Sequence, residues 1–158
     1  MRFKGNRLTN HKKVIIFPNQ PPGPVIVWSF FDFGYLAGGK PIQDWYDNDI
    51  SDRARLSFNA TIKNNEKIAN HLEWSGVVKQ MQGELKGHQI WQWRISGEVQ
   101  YRMLGIFSGS KRAVFLMGYH HKGEVYIPRN ALQTALDRKI LFDQGAYKLY
   151  ERQAENSL

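Results

Sequence analysis

The run "IWQWRISGEVQYRMLGIFSGSKRAVFLMGYHH", residues 90–121, decides the fold. It holds three stretches rich in β-branched and aromatic residues, at 90–96, 99–107 and 112–121, and such residues suit a pleated, half-buried surface. The separating pair Gly97 and Glu98, and the four residues Ser108 to Lys111, are of hairpin length and type. Three consecutive strands joined in this way form an antiparallel meander. Within the first strand, Trp91 and Trp93 fall on one face and Arg94 on the other, because side chains alternate along a strand. One face of the sheet is therefore expected to pack and the other to meet a ligand.

Upstream, "VIVWSFFDFG" (25–34) runs into "AGGKP" and reads as a buried strand closed by a turn. From Asp44 to Ile68, Ile50, Ala54, Phe58 and Ile62 recur at four-residue steps, with capping oxygens on Asn48, Asp49 and Ser51. That spacing predicts a long helix or a helical hairpin. Residues 69–89, punctuated by Gly76, Gly83 and Gly87, predict a short helix and a loop anchored by Trp74. Downstream, Pro128 suits the first turn of a helix whose apolar stripe is Ala131, Leu132, Ala135, Leu136 and Ile140, with Gly145 as its stop. The last residues, "YKLYERQAENSL", read as a short tail. The predicted class is α+β: an N-terminal strand and helices, then a three-stranded antiparallel meander and a C-terminal helix.

At 158 residues the chain suits one domain, here 25–158, preceded by an extended arm over 1–24. The arm is basic, and Pro18, Pro21, Pro22 and Pro24 break its apolar stretch, which is neither a signal-peptide core nor a membrane span. Val14 to Phe17 could pair at a sheet edge. A formal charge of +8 and a pI near 9.8 favour an anionic partner: nucleic acid, acidic protein or membrane surface. Cysteine is absent, which excludes disulfides, thiolate metal sites and a cysteine nucleophile and fits a reducing cytoplasm. The histidines show no paired metal-binding spacing such as H-E-x-x-H, and "AGGK" at 37–40 lacks the rest of a phosphate loop. No metal and no cofactor are expected.

Residues from about 84 to 140 carry a series of short motifs in order: Leu85, Lys86 and Gly87; Trp91 and Arg94; Tyr101 and Arg102; Gly109 and Arg112; then Lys122 and Pro128. This series resembles the phage-derived branch of the RelE/HigB toxin superfamily. The resemblance covers about a third of the chain, and its strength lies in the order and spacing of weak motifs. The family commonly closes its last strand with consecutive lysines and a Lys-Thr-Pro step, whereas this chain has His120, His121, Lys122 and "GEVYIP".

The resemblance implies the toxin of a type II toxin–antitoxin system, a cytoplasmic endoribonuclease that cuts messenger RNA on the ribosome and is neutralised by a cognate antitoxin. Such chemistry activates a 2′-hydroxyl, stabilises a phosphorane and protonates a leaving oxygen, and it requires no metal in principle. Arg94 and Arg102, on adjacent strands, could then clamp a phosphate through their bidentate forks. Lys122 and either His120 or His121 are candidates for proton transfer, and since the two histidines fall on opposite faces only one can reach the site. The expected catalytic set is Arg94, Arg102, His120 and Lys122, with Lys86, Arg112, His121, Tyr126 and Arg129 contacting RNA. Tyr119 or Tyr126 could stack on a base or lend a hydroxyl. The alternative is a non-catalytic protein of the same fold: a gyrase-directed toxin like the ParE group, or a phage accessory protein that binds nucleic acid or protein.

Overall fold

The computed structural model describes residues 25–74 and 78–155. The N-terminal arm expected over 1–24 lies outside them. The class is α+β, with a seven-stranded sheet and three α-helices. In chain order these are β1 (Ser29–Gly34), α1 (Pro41–Asn48), α2 (Asp52–Asn65), β2 (Val78–Gln80), β3 (Trp91–Ile95), β4 (Gln100–Phe107), β5 (Arg112–Lys122), β6 (Val125–Ile127), α3 (Ala131–Asp143) and β7 (Lys148–Arg152). Single 3-10 turns at His71–Glu73 and Gly83–Leu85 flank β2, where the sequence suggested a short helix.

The strand order is β2-β3-β4-β5-β1-β7, with β6 also on β5. β3, β4 and β5 pair antiparallel in succession, β1 lies parallel beside β5, and β7 closes antiparallel on β1. The sheet is thus larger than the sequence predicts. The stretch read as a tail supplies β7, and its hold on β1 comes from one residue whose partner is far away in sequence. Arg152 donates to both carboxylate oxygens of Asp32, at 2.6–3.0 Å, and to Gln43 of α1 at 2.6 Å.

Local chemistry explains the helix boundaries. Pro41 occupies the first helical position of α1, where a missing N–H costs nothing. Ser51 caps α2 by accepting from the Ala54 amide at 3.1 Å. The four-residue periodicity therefore belongs to a helix pair broken at Asp49 to Ser51. Pro128 stands before α3 rather than in its first turn, its carbonyl accepting from the Ala131 amide at 3.1 Å.

Each sheet face has its own core. The α1/α2 pair packs Trp45, Ala54, Phe58 and Ile62 against Phe30, Trp93, Met103 and Phe115, with Trp74 buried among the same rings. There Gly118 is required by close approach: a Cβ would lie 2.3 Å from the Trp45 ring. The other face packs Leu104, Ile106, Val114 and Leu116 against Ala131, Leu132 and Ala135 of α3.

The alternation of β5 is broken at one point. Leu104 opposes Met117 and Gly105 opposes Phe115, which leaves Leu116 as an extra, bulged residue. Arg138 of α3 donates to the Leu116 carbonyl at 2.7 Å and to the Tyr35 hydroxyl at 2.8 Å. The bulge resets the strand: Phe115 faces the helix pair, but Met117, Tyr119 and His121 face the α3 side. A helix of this length spans roughly 20 Å against roughly 36 Å for β5. α3 therefore covers only one end of its face.

Candidate functional site

The uncovered end of the α3-side face is a groove of about 400 Å³. Its floor is set by strand register. Arg94 of β3 stands directly opposite Arg102 of β4, Arg102 opposite Tyr119 of β5, and Gln100 opposite His121. On the outer side Lys79 of β2 pairs with Gln92 of β3, and Tyr126 of β6 pairs with His121. The lining includes Lys79, Gln92, Arg102, Tyr119, His121 and Tyr126, and no carboxylate.

Two guanidiniums side by side repel unless anions separate them. Arg102 donates to the Tyr101 carbonyl at 2.8 Å and to the Gln100 side chain at 3.1 Å. Neither it nor Arg94 has a carboxylate partner among the described residues. Burial, and then the nearby charge of Arg94, lower the Arg102 pKa from its ordinary value. An arginine stays charged even so. Among the described residues the pair is an unneutralised double cation.

The aromatic wall is ordered. Tyr119 is buried and donates its hydroxyl to Gln92 at 3.1 Å. Burial, with a smaller contribution from Tyr126, pushes the phenol up to about 12 against the pull of Arg102. Tyr126 meets His121 edge-on with ring centres 4.8 Å apart, and Tyr119 at 5.3 Å. Burial first, then Arg102 and His120, lower the His121 pKa from 6.5, so this imidazole is neutral near pH 7 and able to accept a proton.

Of the residues expected from the sequence, Arg102, His121 and Tyr126 line this groove, and Arg94 stands beside it, opposite Arg102 in the sheet. His120 and Lys122 do not line it. They share the parity of Gly118, on the helix-pair side, where the His120 ring lies 5.6 Å from that of Tyr101. The Leu116 bulge is the physical reason. Arg112 begins β5, seven residues from Tyr119 and roughly 23 Å away along the strand, bonded to the Ser108 carbonyl. Lys86 and Arg129 are exposed on flanking turns and line no part of the groove. Lys79, Gln92 and Gln100 were not anticipated. Gln92 had a signal, as the polar residue between two tryptophans, whereas Lys79 is placed only by its pairing with β3.

Among the described residues no three His, Asp or Glu side chains gather where they could hold a metal ion, and no helix is long and apolar enough to cross a membrane. No family model, curated protein or solved structure matches the chain.

Proposed function

We propose that the open end of the sheet binds single-stranded RNA and that the chain is a ribonuclease toxin of the RelE/HigB kind. The observation that carries this reading is the Arg94–Arg102 pair: two cations in direct register, uncovered by helix and unpaired with any described carboxylate, of which Arg102 lines the groove with a neutral histidine and a tyrosine. Such a pair is suited to the equatorial oxygens of a phosphate, which gain charge in the phosphorane. His121 accepts the proton of the 2′-hydroxyl as its oxygen attacks phosphorus. The bond to the 5′-oxygen breaks beside Arg102, and that oxygen takes a proton from solvent, leaving a cyclic phosphate on the other fragment. Tyr126 offers a ring on which a base can stack. The order strand, helix pair, antiparallel strands and helix is in keeping with the motifs at 85–128. An antitoxin would neutralise the chain by laying an acidic segment over the same cations.

Induced expression in a bacterial host tests this, with messenger-RNA 5′ ends mapped for the native chain and for Arg94→Ala/Arg102→Ala. Growth arrest with new cleavage ends that vanish in the double variant is the expected result. Arrest without new ends would sink the nuclease assignment and favour a gyrase-directed or purely binding role.

A further inference from the structure

A second cleft, of about 490 Å³, wraps around the end of the sheet at the β3–β4 hairpin. It is lined by Arg53, Arg94, Arg102, Ser96, Val99 and Gln100 among others. Arg102 and Gln100 also line the aromatic groove, so the two depressions are continuous through the Arg102 side chain. Arg53 comes from the first turn of α2, on the opposite side of the sheet from Arg94 and Arg102. The hairpin is tied to that helix where Ser57 accepts from the Ser96 amide at 2.9 Å.

The carboxylates near this cleft have other partners. Asp52 pairs with Arg55 at 2.6 Å. Glu98 accepts from Ser51 at 2.7 Å and from the Tyr101 hydroxyl, and these bonds, with the charge of Arg53, hold its carboxyl below the usual range. Glu98 therefore offsets part of the Arg53 charge but leaves three guanidiniums along one path. Arg53 has no ion pair among the described residues.

We propose that the hairpin cleft is a second phosphate subsite, with Arg53 as its outer cation. It rests on the reading of the groove as an RNA site and extends it: the ligand is a single strand that passes from the aromatic wall across Arg102 and turns around the hairpin to Arg53. Aromatic contacts occupy one end of the path and only phosphate contacts the other. Recognition of bases belongs to the Tyr126 end, while the Arg53 end senses strand length.

The experiment uses the full chain and 2′-O-methyl oligonucleotides, which cannot be cleaved, from dinucleotide to hexanucleotide. Binding is followed by fluorescence anisotropy over a salt series. The native chain is expected to gain affinity with length, and Arg53→Ala to remove that gain and flatten the log–log salt slope by about 0.7, the release expected for one phosphate contact on a single strand. Arg53→Lys should retain the slope, and Lys148→Ala, which removes an exposed cation elsewhere, should leave it unaltered. Equal affinity and slope for native and Arg53→Ala would overturn the subsite while leaving the groove intact. An equal loss in Lys148→Ala would reduce Arg53 to general charge and overturn it too. No binding at any length by the native chain would remove both the subsite and the RNA reading beneath it.

Discussion

His121 owes its proposed role to its surroundings. Its imidazole is partly desolvated and lies near the charges of Arg102 and His120, and all three effects disfavour the imidazolium. Its folded pKa is depressed, so the neutral form persists to lower pH than in a free histidine. If it is the base, cleavage rises with pH through an apparent pKa below 6.5 and then levels off. His121→Asn is expected to abolish that acidic limb and to slow cleavage by about 10²- to 10⁴-fold, the usual range for a positioned proton acceptor. His120→Asn removes one of the charges that depress His121 and should move the limb upward, toward the ordinary value. A single-turnover pH profile with an acidic limb identical in native chain and His121→Asn would remove the residue from the chemistry.

At the scale of elements, two features each hang on an arginine: one places the groove and the other closes the far edge of the sheet. The first is the bulge of β5. A one-residue slip of register exchanges the faces of every following side chain, so without Leu116 as the extra residue His120, not His121, would join Arg102. Arg138, in the middle of α3, satisfies the bulged carbonyl at 2.7 Å. Arg138→Met leaves that buried acceptor unpaired and is expected to cost about 1–3 kcal/mol in urea denaturation, with cleavage falling beyond what the lost folded population explains. Unchanged stability would mean that the bulge holds itself. The second feature is β7. Asp32 and Arg152 are a buried pair whose side chains are 5–7% exposed, and burial raises the Asp32 pKa more than Arg152 lowers it. Arg152→Met should cost about 3–5 kcal/mol, because it strands a buried carboxylate. Its Asp32 pKa then rises further. A raised folded pKa favours the native state below the unfolded value of about 3.9 and loses that advantage as pH climbs through the folded value. The deficit of the variant relative to the native chain is therefore expected to shrink on acidification, and a deficit that grew instead would contradict the assignment. These two devices also mark where the sequence could be read and where it could not. The meander and the opposed faces of Trp93 and Arg94 follow from local alternation and turn chemistry. The bulge leaves no local signature in "VFLMGYHH", and the strand at 148–152 is recognisable only once Asp32, more than a hundred residues earlier, is known to face it.

For the whole molecule, the question is whether a formal charge of +8 acts as a diffuse cloud or as a site. The helix pair covers one sheet face, while α3 covers only an end of the other, and on the part left open Lys79, Arg94 and Arg102 share a surface whose groove lining carries no carboxylate. A diffuse charge attracts RNA with an affinity to which every exposed cation contributes a little, and any single removal is felt weakly. A site instead concentrates counterion release in the few residues that touch phosphate. With about three such contacts on a single strand, the open end of the face predicts a log–log salt slope near −2 for a short oligonucleotide confined to it. Arg94→Ala and Arg102→Ala should each flatten that slope by about 0.7, and the pair together by about 1.4, since each removes one released counterion. Lys148→Ala lowers the net charge by the same unit from the β7 edge and should leave the slope where it was. Titrations by anisotropy from low to moderate salt measure all five chains on one scale. Equal flattening by Lys148→Ala and Arg94→Ala would show that the charge works as a cloud, and the register of Arg94 against Arg102 would then be a consequence of β pairing without a role in binding.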